Sequence, residues 1–183
     1  MIAQFLIKMK SKKAQVWVET VVYTLIAFAM IGLVLSFIKP NIDENKDKAI
    51  LEQSVNIMNR INYKMNEIKD VQGNKRRLEL SIEKGFLVID GIEDRISFEL
   101  EESNYKYSEP GTFVEDGDFV FYTMKKGKYY EVNITRDYNN YDLVFQGEDK
   151  VKRIHASPTK YFLFLSSKKN EDNGKMQINF EIN

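Results

Sequence analysis

The sequence predicts an α+β protein, with a long N-terminal hydrophobic helix followed by an antiparallel β-sheet or sandwich head. Two observations predict this class. Apolar residues in the first third fill every face of a helix or recur at helical spacing, whereas from residue 78 onward apolar and polar residues alternate with a period of two. A helix followed by a run of strands is the order typical of α+β proteins.

The first element is an uncharged apolar run, VVYTLIAFAMIGLVLSFI, at residues 21–38. Extended back to Val16 it has 23 residues. A helix of that length is about 35 Å long, and the hydrocarbon layer of a bilayer is about 30 Å thick. No polar stripe interrupts it, so a membrane span is favoured over an amphipathic core helix. Residues 15–38 are therefore predicted to form a transmembrane helix.

The charges before this run predict its orientation. The only charged residues preceding Ala14 are Lys8, Lys10, Lys12 and Lys13. Lysines flanking a span stay on the cytoplasmic side, so the C-terminal part of the chain is expected to cross the membrane. An uncleaved signal anchor is one interpretation. An ordinary secretory signal is disfavoured, because its small cleavage-site residue follows the apolar stretch, whereas Ala14 precedes it.

A second interpretation rests on the order of the residues around that junction. The basic pair Lys12 and Lys13 is followed by Ala14 and Gln15, then by Glu19 and the continuous apolar helix. This order resembles the class III signal peptide of the type IV pilin superfamily, in particular its archaeal branch of adhesion pilins, archaellins and pilin-like proteins. Alanine before the cut and glutamine after it fit the archaeal form better than the bacterial glycine and phenylalanine.

The resemblance implies how the precursor is processed. A prepilin peptidase at the cytoplasmic face would read Lys12 and Lys13, cut between Ala14 and Gln15, and remove residues 1–14 as a leader. The apolar helix would stay in the mature chain. Glu19 would then neutralise the new amino terminus of a neighbouring subunit during assembly. An unpaired carboxylate in hydrocarbon costs several kcal/mol, which favours such a pair; alternatively, the side chain reaches water from the headgroup region.

Residues 39–71 are predicted to continue the helix in amphipathic form. Pro40 removes a backbone donor, so a kink or brief break is expected there. The apolar stripe, with its flanking positions, ends near Val71, and its one-sided character predicts packing against a globular head. Binding to a membrane surface or a partner helix is the alternative. The stripe comprises Ile42, Ala49, Ile50, Ile57, Ile61, Met65 and Ile68, flanked by Leu51, Val55 and Met58.

Residues 72–183 are predicted to form an extracytoplasmic β-rich head of seven or eight short strands, curled into a sandwich or partial barrel. The segments FVFYTM and YYEVNIT flank KKGK, which indicates a hairpin. Alternation predicts the inward-facing positions. The predicted core comprises Leu80, Ile82, Val88, Ile96, Phe98, Phe121, Val132, Ile134, Leu143, Phe145, Leu163 and Ile178.

Composition narrows the function. The 27 basic and 27 acidic side chains balance, so no overall field favours nucleic acid, and the cluster at residues 75–77 is interpreted as a solvated turn. The absence of cysteine excludes disulfides, thiolate metal sites and a cysteine nucleophile, and the single histidine, His155, excludes a two-histidine metal site within one chain.

Three features of the head carry weak chemical signals. His155 and Ser157 suggest a nucleophile and a base, but no nucleophile elbow is present and Ser157 precedes a proline, so a turn is favoured. The acid-rich segments NIDENKD, DGIED and EDGD do not match a calcium loop and are interpreted as solvated turns. The sequon at Asn133 would accept an N-linked glycan if the head is external, although its position in a predicted strand weakens it.

The sequence therefore predicts a non-enzymatic structural subunit with no cofactor, no metal and no small-molecule substrate. It would be cleaved by prepilin peptidase, held in the cytoplasmic membrane by its helix, and packed with copies of itself or related pilin subunits into an archaeal cell-surface filament. The alternative is an uncleaved single-pass membrane-anchored extracellular β-domain that acts as a binding or adhesion module. An anchored enzyme is the weakest of the three hypotheses.

Overall fold

The computed structural model describes residues 2–69, 73–169 and 174–183, and its side chains from Val16 onward. The chain divides into two compact units, Met1–Asp43 and Glu44–Asn183. The described part of the first unit is helical, and the second unit contains the end of the same helix and all the described strands. The α+β class predicted from the sequence is thus confirmed.

Helix α1 spans Ile2–Lys69 and includes Pro40 in its interior. The helical assignment continues through Pro40, so the alternative of a brief break there is wrong. Proline removes one backbone donor, but the turns on either side keep their own hydrogen bonds, which is enough to keep the helix continuous. A kink at this position stays a prediction. The expected helix end near Val71 lies outside the described residues.

In the second unit, α1 buries one narrow stripe whose members are spaced alternately by four and three residues. This spacing keeps side chains on a single face of a helix. Two members are polar, which the apolar pattern did not predict. The stripe consists of Asp47, Leu51, Ser54, Met58, Ile61, Met65 and Ile68, and the predicted member Ile57 is buried beside Met58.

The phase of this stripe corrects part of the sequence prediction. Ile42 and Ala49 were expected to lie on it but are exposed, whereas Leu51 and Met58 were expected to flank it but belong to it. Ile68 is fully buried and lies near the end of the helix. Counting back from it in alternating steps of three and four residues reaches positions 51 and 47, and not 49 and 42, so this count identifies the buried face.

Ten strands lie within the described part of the second unit, where eight at most were expected. Their bounds are β1 Lys75–Leu80, β2 Phe86–Asp90, β3 Arg95–Ser103, β4 Phe113–Asp116, β5 Phe119–Lys126, β6 Tyr129–Asp137, β7 Tyr141–Phe145, β8 Val151–His155, β9 Tyr161–Lys169 and β10 Met176–Ile182.

The two unpredicted strands, β4 and β8, are the edges of the larger sheet. Strand β8 buries only Ile154, and β4 buries no side chain. Neither strand therefore shows an apolar–polar alternation, and alternation is the signal by which strands are recognised in a sequence. The predicted hairpin is confirmed, since β5 and β6 pair across a two-residue turn in which Gly127 has a φ of 64°.

The strands form a six-stranded sheet in the order β4-β5-β6-β3-β2-β8 and a four-stranded sheet in the order β1-β9-β10-β7. All neighbours are antiparallel except β7 and β10, which are parallel. A wholly antiparallel arrangement was therefore a wrong prediction for this pair. After β6 the chain leaves the larger sheet and enters the smaller one. Strand β7 therefore has no hairpin partner, and it pairs with the distant last strand, β10.

The two sheets and the buried stripe of α1 enclose one hydrophobic core. All twelve predicted core residues are buried, but Val88 lies outside this core. Strand β2 buries all five of its residues, and Leu87 and Ile89 lie in the core. Val88 lies on the other face of the sheet, where its neighbours on the adjacent strands are Ser97 and Arg153. A continuous apolar strand offers no alternation from which its inner face can be identified.

Candidate functional site

The most conspicuous surface of the first unit is apolar. Every side chain from Val16 to Ile42 is exposed, and the large ones include Trp17, Phe28 and Phe37 at 67–72 % exposure. We refer to residues 16–42 as the exposed segment. Soluble monomers rarely leave a contiguous apolar surface of this extent uncovered. It is the one helical region among the described residues that is long and apolar enough to cross a membrane.

Three hydroxyl side chains inside the exposed segment are satisfied within the helix itself. The hydroxyls of Thr20, Thr24 and Ser36 each donate to the carbonyl oxygen four residues earlier, at 2.8–2.9 Å. In hydrocarbon every hydroxyl needs such a partner, because no water is present to supply one. These hydroxyls are therefore suited to an apolar environment. At Gly32 the helix carries no side chain, and an added Cβ would meet no neighbouring atom.

The residues predicted to direct cleavage adjoin this segment. Lys12, Lys13, Ala14 and Gln15 lie in the helical backbone of α1, and their side chains are outside the described ones. Glu19 is exposed at the N-terminal end of the exposed segment, about one helical turn after Gln15. The structure thus places the predicted assembly residue beside the predicted cut, and it leaves the cut itself untested.

The sequon residue Asn133 lies at the centre of the six-stranded sheet. It is half-buried on β6, between Tyr122 of β5 and Glu99 of β3, and its side-chain oxygen accepts a hydrogen bond of 2.9 Å from Thr135. Strands pair with β6 on both sides at this point, so the backbone of the sequon is already fixed. A glycan here would have to be attached before the sheet forms; glycosylation stays a prediction.

The weak nucleophile–base pair is not assembled. His155 ends the edge strand β8 and packs against the ring of Phe86, with centroids 5.2 Å apart. The Ser157 hydroxyl instead bonds to the Thr159 hydroxyl at 2.9 Å and accepts from the Thr159 amide at 3.1 Å. The structure therefore brings His155 and Ser157 into separate contacts.

The acid-rich segments serve local structure. In DGIED, the carboxylate of Asp90 accepts hydrogen bonds from the amides of Ile92 and Glu93, at 3.0 and 3.1 Å, and closes the turn between β2 and β3. In NIDENKD, Asp47 lies on the buried stripe of α1. Within the part of the chain that the structure describes, no three acidic or histidine side chains are placed to share a metal ion.

Asp47 is the polar residue that sequence reasoning missed. It is 4 % exposed, and its carboxylate meets the Lys84 ammonium at 2.6 Å and the backbone amide and side-chain nitrogen of Asn104 at 2.7 and 2.9 Å. Lys84 also donates to the carbonyl oxygen of Glu102. Burial by itself would raise the pKa of Asp47, but these hydrogen bonds and the ammonium outweigh it and lower the pKa. The contact fastens α1 to two loops of the sheets.

A second flank of α1, beside the buried stripe, forms one wall of two neighbouring cavities. Its members are again spaced by four and three residues: Lys48, Glu52, Val55, Asn59, Asn62 and Asn66. Asp118 lines the first cavity and Arg136 lines the second, and these two side chains pair at 2.8 Å. An ion pair therefore marks the boundary between the cavities.

The first cavity, of about 590 Å³, is mainly apolar. The buried Leu51, Phe119 and Phe121 lie in its wall, and the Tyr107 ring stacks on Phe121 with centroids 3.9 Å apart. The Tyr107 hydroxyl donates to Asp116 at 2.9 Å, and burial, followed by this hydrogen bond, raises the pKa of Tyr107 to about 12. Tyr107 is therefore a neutral wall residue at physiological pH.

The second cavity is smaller, about 190 Å³, and polar. Asn62 and Asn66 of α1 face Asn139 and Asn140, which occupy the turn that joins β6 to β7. The turn is closed by a 2.7 Å hydrogen bond from the Tyr141 amide to the Tyr138 carbonyl oxygen. We call this the amide cavity. Isolated asparagines carry no periodic signal, so the sequence could not reveal that these four residues line one cavity.

No family model matches the chain, and no curated protein or solved structure matches it.

Proposed function

We propose that this protein is a structural subunit of an archaeal cell-surface filament of the type IV pilus kind. The observation that carries the proposal is the exposed segment, an apolar helix with no polar face that begins directly after Lys12, Lys13, Ala14 and Gln15. A membrane-spanning helix and a helix in a filament core both need an uninterrupted apolar surface. The leader-like residues and Glu19 favour the filament.

The proposed mechanism is exchange of lipid for protein contacts. After cleavage before Gln15, the exposed segment leaves the bilayer by packing against the same segment of other subunits. Small residues such as Ala27, Ala29 and Gly32 permit close approach of helices. The internally bonded hydroxyls need no new partner in either environment. The positive amine created at Gln15 of one subunit pairs with Glu19 of its neighbour, which fixes the register between helices.

The second unit supplies the outward-facing part of the subunit. Its helix is held to the sheets by an apolar stripe and by Asp47, so this unit keeps its own fold while the exposed segment changes surroundings. Any adhesive function of the filament would belong to this unit.

The first experiment determines the mature amino terminus. We expect native protein from cells with active peptidase to begin at Gln15, as measured by intact mass or N-terminal sequencing. Mature protein that retains Lys12 and Lys13 would contradict cleavage and leave the anchored module as the interpretation.

The second experiment tests assembly. Replacing Glu19 with alanine should abolish or strongly reduce filaments seen by electron microscopy, because the new amine then enters an apolar core without its counterion. Glu44→Ala is the matched control, since Glu44 is an exposed acid on the same helix beyond the exposed segment. Normal filaments in Glu19→Ala would refute the pairing role, as would equal loss in both variants.

The second candidate function is a membrane-anchored binding module that does not polymerise. The two cavities on the flank of α1 favour it, because binding modules present preformed clefts and a purely architectural head needs none. In that case the exposed segment stays in the bilayer as an uncleaved anchor.

A further inference from the structure

The amide cavity has the composition of a recognition site for a neutral ligand. Four asparagines from two separate elements, α1 and the β6–β7 turn, line a volume of about 190 Å³. Each amide both donates and accepts hydrogen bonds. Among the described residues, none of the four makes a side-chain hydrogen bond within the chain, so their donors and acceptors are available to a ligand.

The charges around the cavity balance. The guanidinium of Arg136 is already paired with Asp118 at 2.8 Å and lies 5.4 Å from the centre of the Tyr138 ring. Asp137, which also lines the cavity, is exposed on its rim. An anionic ligand would have to compete with Asp118 for the arginine and would meet Asp137, so an uncharged ligand is favoured.

Aromatic side chains complete the wall. Tyr138 and Tyr141 both line the cavity, with ring centroids 6.4 Å apart. Tyr138 is 4 % exposed, and its hydroxyl has no hydrogen-bond partner in the described protein. Burial raises the pKa of this hydroxyl to about 12, so it keeps its proton at physiological pH. The hydroxyl itself has almost no accessible surface, so the ligand contacts of this wall come from the other atoms of the two tyrosines.

We propose that the amide cavity binds one ring of a neutral sugar. Paired hydroxyls on a sugar ring match side-chain amides that donate and accept together, and the less polar face of the ring suits a tyrosine side chain. Pockets for drug-sized ligands have volumes of about 300–1,000 Å³, so the smaller volume of this cavity, about 190 Å³, favours a single ring. The proposal goes beyond the filament function and does not depend on it.

The test uses the full-length chain, purified in a zwitterionic detergent so that no sugar headgroup competes. Saturation-transfer NMR and titration calorimetry would screen glucose, galactose, mannose and N-acetylglucosamine, with glucuronic acid as the charged comparison. Methyl glycosides of the same sugars represent a residue at the end of a glycan. Preference for the glycosides would identify a surface glycan as the source, and preference for the reducing sugars would identify free monosaccharide.

We expect at least one neutral sugar to saturate a single site. Asn62→Ala combined with Asn66→Ala should weaken it about tenfold, the factor that corresponds to 1.4 kcal/mol. Asn56→Ala is the matched control, because Asn56 is an exposed asparagine of the same helix that does not line the cavity. It should bind as the wild type does.

Three results would overturn the proposal: no saturable binding by any sugar in the panel, tighter binding of glucuronic acid than of glucose, or equal affinity in wild type and the double variant. Near-UV circular dichroism of the tyrosines checks that each variant is folded. If the double variant does not fold, Asn66→Ala alone serves, since Asn66 is exposed and its truncation leaves the core intact.

Discussion

The two parts of helix α1 share one secondary structure and have opposite surfaces. From Val16 to Ile42 every side chain is exposed and most are apolar, whereas from Asp47 to Ile68 one side of the helix is buried and most of the exposed side chains are polar. The second part is stabilised by the sheets on which it packs. The exposed segment buries nothing within its own unit, and its apolar surface is compatible with a membrane. Amphipathicity, rather than helix propensity, separates the two parts.

The largest effect that would test this comparison comes from truncating the buried stripe. Ile61→Ala, at a fully buried position, should destabilise the second unit by about 3 kcal/mol, because it removes core contacts and leaves a cavity. Phe28→Ala, at a side chain 67 % exposed, should leave that unit unchanged. Urea unfolding followed by the tyrosine signal in near-UV circular dichroism measures both. Equal destabilisation by the two variants would contradict the separation.

A smaller effect is expected at Asp47, the one charged residue on the stripe. Asp47→Asn keeps the size of the side chain but removes the charge that faces Lys84. It should lower the free energy of unfolding by about 2 kcal/mol at pH 7. The pKa of Asp47 lies below its ordinary value of 3.8 in the folded protein, so its stabilisation is complete above that pH and is lost as the pH falls through the folded pKa.

The difference in unfolding free energy between wild type and Asp47→Asn should therefore narrow below pH 3.8. Asp149→Asn, which changes an exposed acid in the loop between β7 and β8, should show no such pH-dependent difference. If the difference in unfolding free energy between wild type and Asp47→Asn stays constant from pH 7 to about pH 2.5, the Asp47 carboxylate contributes no charge-dependent stability.

The smallest effect concerns the wall of the amide cavity. Tyr138→Phe removes a buried hydroxyl that has no partner in the described protein, and should raise stability by about 1 kcal/mol. Tyr122→Phe, a half-buried tyrosine on the outer face of the larger sheet, is the control and should change stability little. A loss of stability in Tyr138→Phe would mean that the hydroxyl is satisfied in solution.

The sequence predicted those features that repeat along the chain. The long apolar helix follows from an uninterrupted apolar run, and the helix that packs on the sheets and eleven of the twelve predicted core positions follow from periods of 3.6 and 2. It did not reveal features that arise when distant residues meet. Asp47 looked like one acid in a solvated cluster until Lys84 and Asn104 surrounded it. The amide cavity joins residues more than seventy positions apart, and edge strands β4 and β8 bury too little to alternate.

The strand order of the smaller sheet has a consequence for the timing of folding. Strand β1 follows the helix directly, but its partner is β9, and β10 must then lie between β9 and β7. The six-stranded sheet uses residues from 86–155 and combines two local hairpins, β2–β3 and β4–β5–β6, with the non-local pairs β3–β6 and β2–β8. In the four-stranded sheet, β9 and β10 are neighbours in sequence and can pair locally, whereas pairing of β1 with β9 closes a loop of about eighty residues at an entropic cost. Strand β1 therefore has no partner strand until residues 161–169 have been synthesised, although it lies more than eighty positions earlier in the chain.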